Sequence, residues 1–188
     1  MKRITIIAVL LLFVLHCKAQ NIVPVEKAID YKTAGKGIPV DTYLKDVNNL
    51  FAPYIGTWKG TINNKTYTFF ITKITETGNG RSVDKLTIHH LIFDNILGYT
   101  LEDTRIKSRP HITGWNFQKD LSYYHLHYTA ENPWCGRMGQ VSIKKTNATT
   151  MLLYFTPGPV GGPFDRCPGG KMTEQILPTE VPLALTKQ

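Results

Sequence analysis

The chain has 188 residues, 22 of them basic and 14 acidic, for a net charge of +8. The basic side chains are scattered, with Arg105, Lys107, Arg109 and His111 the nearest thing to a cluster, and an N-terminus that directs export argues against nucleic acid as a partner. The length is that of one ordinary domain with a real core. No segment beyond the first nineteen residues approaches 18 consecutive apolar residues, so no later transmembrane helix is expected.

Residues 1–19 read as a signal peptide. Lys2 and Arg3 give a positive start, and Ile4 to Leu15 is apolar except for Thr5. That run fits an export signal and is short for a membrane span. Cys17 and Ala19 are small residues at the −3 and −1 positions of a cut after Ala19, leaving Gln20 first. The rival is a lipoprotein-type cut with lipidation at Cys17. His16 stands against it, because that cut wants a small residue before the cysteine. The simple cut also leaves an even pair, Cys135 and Cys167, for an oxidising compartment. Loss of Lys2, Arg3 and Lys18 lowers the net charge from +8 to +5. The expected location is periplasmic or secreted. An outer-membrane lipoprotein is the alternative, with the lipid anchor as its membrane contact.

Residues 20–39 read as a flexible tether, and residues 40–188 as one domain. Tyr43, Leu44, Val47, Leu50, Phe51 and Tyr54 recur at three- and four-residue spacing, which predicts a short helix from Asp41 to Tyr54. Asp41 or Thr42 caps it, and Pro53 and Gly56 end it. From Gly56 the period changes to two. Gly56 to Ile62 and Lys65 to Ile74 read as a hairpin around Asn63-Asn64, since asparagine tolerates positive φ. Strands follow at Val83 to Phe93, Leu97 to Thr104, His111 to Phe117 and Leu121 to Thr129. Gln140 to Lys145 and Thr149 to Thr156 form another hairpin. In Pro157 to Gly170, nine of fourteen residues are Gly or Pro, which forbids helix and central strand. Lys171 to Leu177 and Val181 to Lys187 close the chain. Eight to ten short strands separated by turns point to a barrel or sandwich.

The helix followed by Gly56-Thr57-Trp58 resembles the start of lipocalin-like barrels. There a tryptophan seals one end of the barrel and the glycine lets the chain turn in tightly. The resemblance implies an antiparallel up-and-down barrel. Cys17-Lys18-Ala19-Gln20, Tyr54-Ile55-Gly56-Thr57-Trp58 and Pro182-Leu183-Ala184-Leu185-Thr186-Lys187 are together similar to an uncharacterised family of small exported proteins from flavobacteria and their relatives. That likeness implies no activity and no catalytic residues.

The expected inward set is Trp58, Tyr67, Phe69, Leu86, Ile88, His90 and Ile92, the residues that would line a chamber for a small apolar or amphipathic ligand. His90 falls in register with apolar neighbours and therefore needs a hydrogen-bonding neighbour or a ligand contact. Cys135 and Cys167 sit in turn-rich segments. A disulfide between them would close a loop of about 33 residues, with a chain-entropy contribution of roughly 3–4 kcal/mol. His125 and His127 lie two apart on a strand and share a face, the weak candidate for a metal pair, to which His89, His90 or His111 would add a third ligand. Tyr124, Leu126 and Tyr128 claim the core side of that strand, so the pair is expected to face outward. Trp115 and Trp134 are candidate sugar-stacking platforms beside their simpler reading as packing residues. No phosphate loop, His-Glu-x-x-His or nucleophile elbow is present, and the carboxylates show no paired spacing. The expectation is a non-enzymatic exported barrel with no cofactor, holding a small ligand. The alternative is an envelope interaction module with a filled core that binds protein or glycan.

Overall fold

The computed structural model describes residues 20–107, 110–130, 138–158, 167 and 176–188. Strand β1 (Asn21–Pro24) leads through a 3-10 turn, Val25–Lys27, into helix α1 (Ala28–Thr33) and then β2 (Thr42–Lys45). The barrel strands follow: β3 (Gly56–Ile62), β4 (Lys65–Gly78), β5 (Arg81–Asp94), β7 (Ile112–Phe117), β8 (Tyr124–Thr129), β9 (Met138–Lys145), β10 (Thr150–Pro157) and β11 (Leu183–Lys187). A short β6 (Tyr99–Asp103) runs beside the end of β5.

Each barrel strand pairs antiparallel with the next, β11 returns to β3, and β5 meets β7 to close the ring. The result is a closed eight-stranded up-and-down barrel. Two tight turns set the register of its long hairpins. Asn63 and Asn64 (φ 49° and 59°) join β3 to β4, and Asn79 and Gly80 (φ 51° and 71°) join β4 to β5. Both central residues of each turn are left-handed, the geometry that matches the twist of paired strands.

The inward faces alternate as the period-two pattern requires. Trp58, Phe69 and His90 stand in one paired row across β3, β4 and β5. Together with Leu86, Ile88 and Ile92 they have 0% exposed surface, and Tyr67 has 2%. Apart from His90, these side chains belong to one buried apolar cluster that lies inside the barrel. One end is closed by Phe51, which stacks on Phe117 at 5.4 Å and meets Tyr124 edge-on at 5.1 Å. Trp58 completes this end, its indole N–H donating to Tyr54 O at 2.7 Å.

Two expectations before Gly56 are corrected. The helix from Asp41 to Tyr54 does not form. Thr42–Lys45 is instead a strand, parallel to both β1 and β5, because the long β5 offers it an unpaired edge. Beyond it the Asp46 carboxylate accepts the N–H groups of Leu50 (2.6 Å) and Phe51 (3.3 Å), closing a turn by side chain where a helix would use its own carbonyls. Asn49, at φ 55°, breaks the helical path. The helix lies earlier, inside residues 20–39, which were expected to be a tether. Gly35, at φ 64°, ends α1, and Val25 is buried against the core. Of the expected closing strand Lys171 to Leu177, residues 171–175 lie outside the described residues, and Ile176 and Leu177 are not in a strand.

Candidate functional site

The barrel wall has a seam. On one side of β5, Thr87 and Ile88 pair with β7, whereas Leu91 to Asp94 pair with β6. Between them, at His89 and His90, Thr104 takes the place of a paired strand. Its hydroxyl accepts the His90 N–H at 2.7 Å, and its own N–H donates to His90 O at 2.9 Å. The chain leaves β6 at Thr104 and returns at His111, so side chains from β6 and from the start of β7 can both turn inward through this gap.

Three do converge there. His90 Nε2 and Glu102 Oε2 are 2.6 Å apart, with the imidazole N–H donating. His111 Nδ1 lies 3.4 Å from the other carboxylate oxygen. His90 is fully buried, whereas the side chains of His111 and Glu102 keep 9% and 18% of their surface, so the cluster reaches solvent on the Glu102 side. Phe69 and Tyr128 pack around it, with ring centroids 6.1 and 6.4 Å from that of His90. Burial alone would raise the Glu102 carboxyl, but the hydrogen bonds and charges of His90 and His111 hold it below its usual value. Burial and the Glu102 charge push the Tyr128 phenol well up. His90 Nδ1 is a buried nitrogen with no hydrogen-bond partner among the described residues.

All seven residues expected to line a ligand chamber are inward and buried, with 0% to 2% of their surface exposed. His90 finds the hydrogen-bonding neighbour its register demanded. Tyr67 borders a recess, a depression of about 260 Å³ that also involves Lys65, Leu177 and Val181. Its hydroxyl donates to Ile176 O at 3.0 Å, and burial pushes its pKa up to about 12.

His125 and His127 face outward, as expected, and are committed elsewhere. His125 Nδ1 is 2.9 Å from Ser142 Oγ, and His127 packs at a tilt against Trp115 with centroids 4.3 Å apart. Burial, and after it the Lys32 charge, lower both imidazole pKa values, and a neighbouring ammonium also repels a metal ion. The third histidines proposed for that pair, His90 and His111, gather instead around Glu102 on the other face of the wall. Trp115 has Lys32 Nζ 3.6 Å from its ring centroid besides His127, contacts that occupy ring surface a sugar would need. Cys17, Cys135 and Trp134 lie outside the described residues, so neither lipidation nor the Cys135–Cys167 pairing falls within them. Cys167 is buried.

Sequence reasoning missed Glu102, which looked like one more scattered acid. The signal was in the hairpin: a turn at Asp94-Asn95 brings Glu102 opposite Ile92, two residues from the histidine that needed a partner.

The closed eight-stranded meander, its Gly-x-Trp entry and its short helix define a lipocalin-like barrel. The chain belongs to a family of unknown function (DUF6705), whose sequence profile matches residues 1–103. No curated protein and no solved structure matches it.

Proposed function

We propose that this protein is an exported, non-catalytic lipocalin-like barrel that takes a small ligand at the His90–Glu102–His111 seam, not in an apolar central chamber. The observation that carries this reading is the convergence of two imidazoles and a carboxylate in a wall whose other inward side chains at this level are apolar and sealed. A buried polar cluster in an oily interior costs free energy and is retained where it has work to do. Access on the Glu102 side supplies an entry. Export rests on Lys2, Arg3 and the apolar run Ile4 to Leu15, and the even pair Cys135 and Cys167 suits an oxidising compartment.

The test is native mass spectrometry of protein purified from its own envelope, run beside a Glu102→Gln variant. A bound species present in the wild type and absent from the variant supports the seam. A lipid retained equally by both would move the ligand elsewhere.

A second reading is the filled-core interaction module. It draws on the outer face of β8 to β10, where Tyr123 stacks with His125 at 6.3 Å and meets Tyr154 at 5.7 Å. Aromatic rings beside Gln140, Ser142 and Lys144 suit a glycan surface. Binding to an immobilised glycan panel, lost in Tyr123→Ala, would favour this reading. Binding unchanged in that variant, or absent, would end it.

A further inference from the structure

We propose that His90, Glu102 and His111 bind one divalent transition-metal ion of the zinc class, an inference that rests on the seam being the ligand site. The donor set is two imidazoles and one carboxylate, the combination that holds zinc or ferrous ions with coordination positions left for water or a small molecule. One ligand atom from each residue lies within 4.8 Å of the other two. Metal–ligand distances of about 2.0–2.2 Å put tetrahedral ligand atoms roughly 3.3–3.5 Å apart. The cluster therefore has to close by about 1.3 Å at its widest, a motion within reach of side-chain rotation. His90 is fixed in the wall by Thr104, while Glu102 lies on the open side with 18% of its side-chain surface exposed.

Two features go beyond a structural ion pair. One carboxylate needs only one histidine, yet two imidazoles face it, one from β5 and one from the residue before β7. His90 also leaves Nδ1 buried without a hydrogen-bond partner among the described residues, a cost that calls for an explanation. A dication answers the first directly, because it draws all three side chains to one point and replaces the shared proton. It also ties β5 and β6 to the residue that leads into β7, at the place where Thr104 stands in for a strand on one side of β5, so binding stabilises the barrel.

The site is distinct from the outward His125 and His127, and the experiment uses that difference. Purified protein is stripped with chelator, equilibrated with zinc, and its metal content measured. Cobalt is then substituted, because its visible absorption reports coordination. The expected result is one equivalent of zinc, a cobalt spectrum of low coordination number and a raised melting temperature. In Glu102→Gln and His111→Ala, affinity falls roughly tenfold or more while circular dichroism is unchanged. A His125→Ala/His127→Ala double variant keeps full binding. Glu102→Gln is nearly isosteric and keeps the test open if a His90 variant does not fold. Zinc binding that survives Glu102→Gln, or that disappears in the double variant, overturns the proposal. So does failure of the folded wild type to bind. If no zinc binds but an organic adduct from the envelope is lost in Glu102→Gln, the metal is wrong and the seam stands. If there is neither zinc nor adduct, both fall.

Discussion

Nε2 of His90, on β5, sits 2.6 Å from Oε2 of Glu102, on the neighbouring β6. The histidine has no exposed side-chain surface and the carboxylate has 18%, so the pair is held largely out of water. Removing one partner of such a pair leaves the other without compensation. Glu102→Ala is therefore expected to cost about 3–5 kcal/mol of stability. Glu102→Gln keeps a hydrogen bond to the imidazole, and its cost is expected to be smaller, about 1–3 kcal/mol. Urea unfolding of the three proteins measures the order. Equal costs for Ala and Gln would show that the pair contributes little.

Acid should unfold the protein partly through this carboxylate. The folded Glu102 value lies below the ordinary 4.5, so its contribution is complete above the unfolded value and is lost as pH falls through the folded one. Asp84 acts with the same sign. Burial opposes its ionisation, but the Asp46 N–H, the Thr75 and Tyr43 hydroxyls and the Lys73 charge outweigh that and hold its carboxyl low. Urea midpoints taken from about pH 6 to about pH 3 should fall most steeply below the ordinary carboxylate range, and less steeply in Glu102→Gln. A variant with the wild-type slope would remove Glu102 from the acid response.

Trp58 seals the end of the barrel with a fully buried ring. Trp58→Ala should cost about 3–5 kcal/mol, the range for emptying a large core site. Trp58→Phe keeps most of the apolar contact but loses the N–H donated to Tyr54 O, and should cost roughly 1–3 kcal/mol. Thermal melts distinguish the two. A phenylalanine as damaging as alanine would assign the whole role to the hydrogen bond.

Gly114 marks a close approach. A Cβ there would stand 2.1 Å from the Tyr124 hydroxyl and 2.8 Å from Leu86 O. The empty space lets that hydroxyl accept the Leu86 N–H at 3.3 Å, tying β8 to β5 beside the closure of the ring. Gly114→Ala should cost roughly 1–3 kcal/mol through crowding. In a Tyr124→Phe background the same change should cost less, because the nearest atom is gone. A double-mutant cycle reads this coupling, and strict additivity would place the strain elsewhere.

The barrel was legible wherever local pattern and burial agree. Asn63-Asn64 announced its turn, Trp58 its plug, and Leu86, Ile88, His90 and Ile92 their shared inward face. The segment from Asp41 to Tyr54 misled because three- and four-residue spacing describes both a helix and a strand running into a turn. What decides between them is the open edge of β5, about forty residues away along the chain. Residues 20–39 hid a helix because six residues are too few to show a period. The seam was half visible. His90 demanded a partner, but Glu102 and His111 reach it only through the change of strand partners along β5, which no local pattern encodes. The His125 and His127 pair drew attention as a metal motif because they are two residues apart in sequence, whereas the structure brings the better donor set together from β5, β6 and the residue before β7.

The most direct measurement is a crystal structure of zinc-equilibrated protein, with anomalous difference maps collected across the zinc edge. One peak bonded to His90, Glu102 and His111, with the space among Trp58, Phe69 and Ile88 filled by those side chains alone, is the predicted result. Ligand density in that central space, or a zinc peak at His125 and His127 with none at the seam, would contradict it.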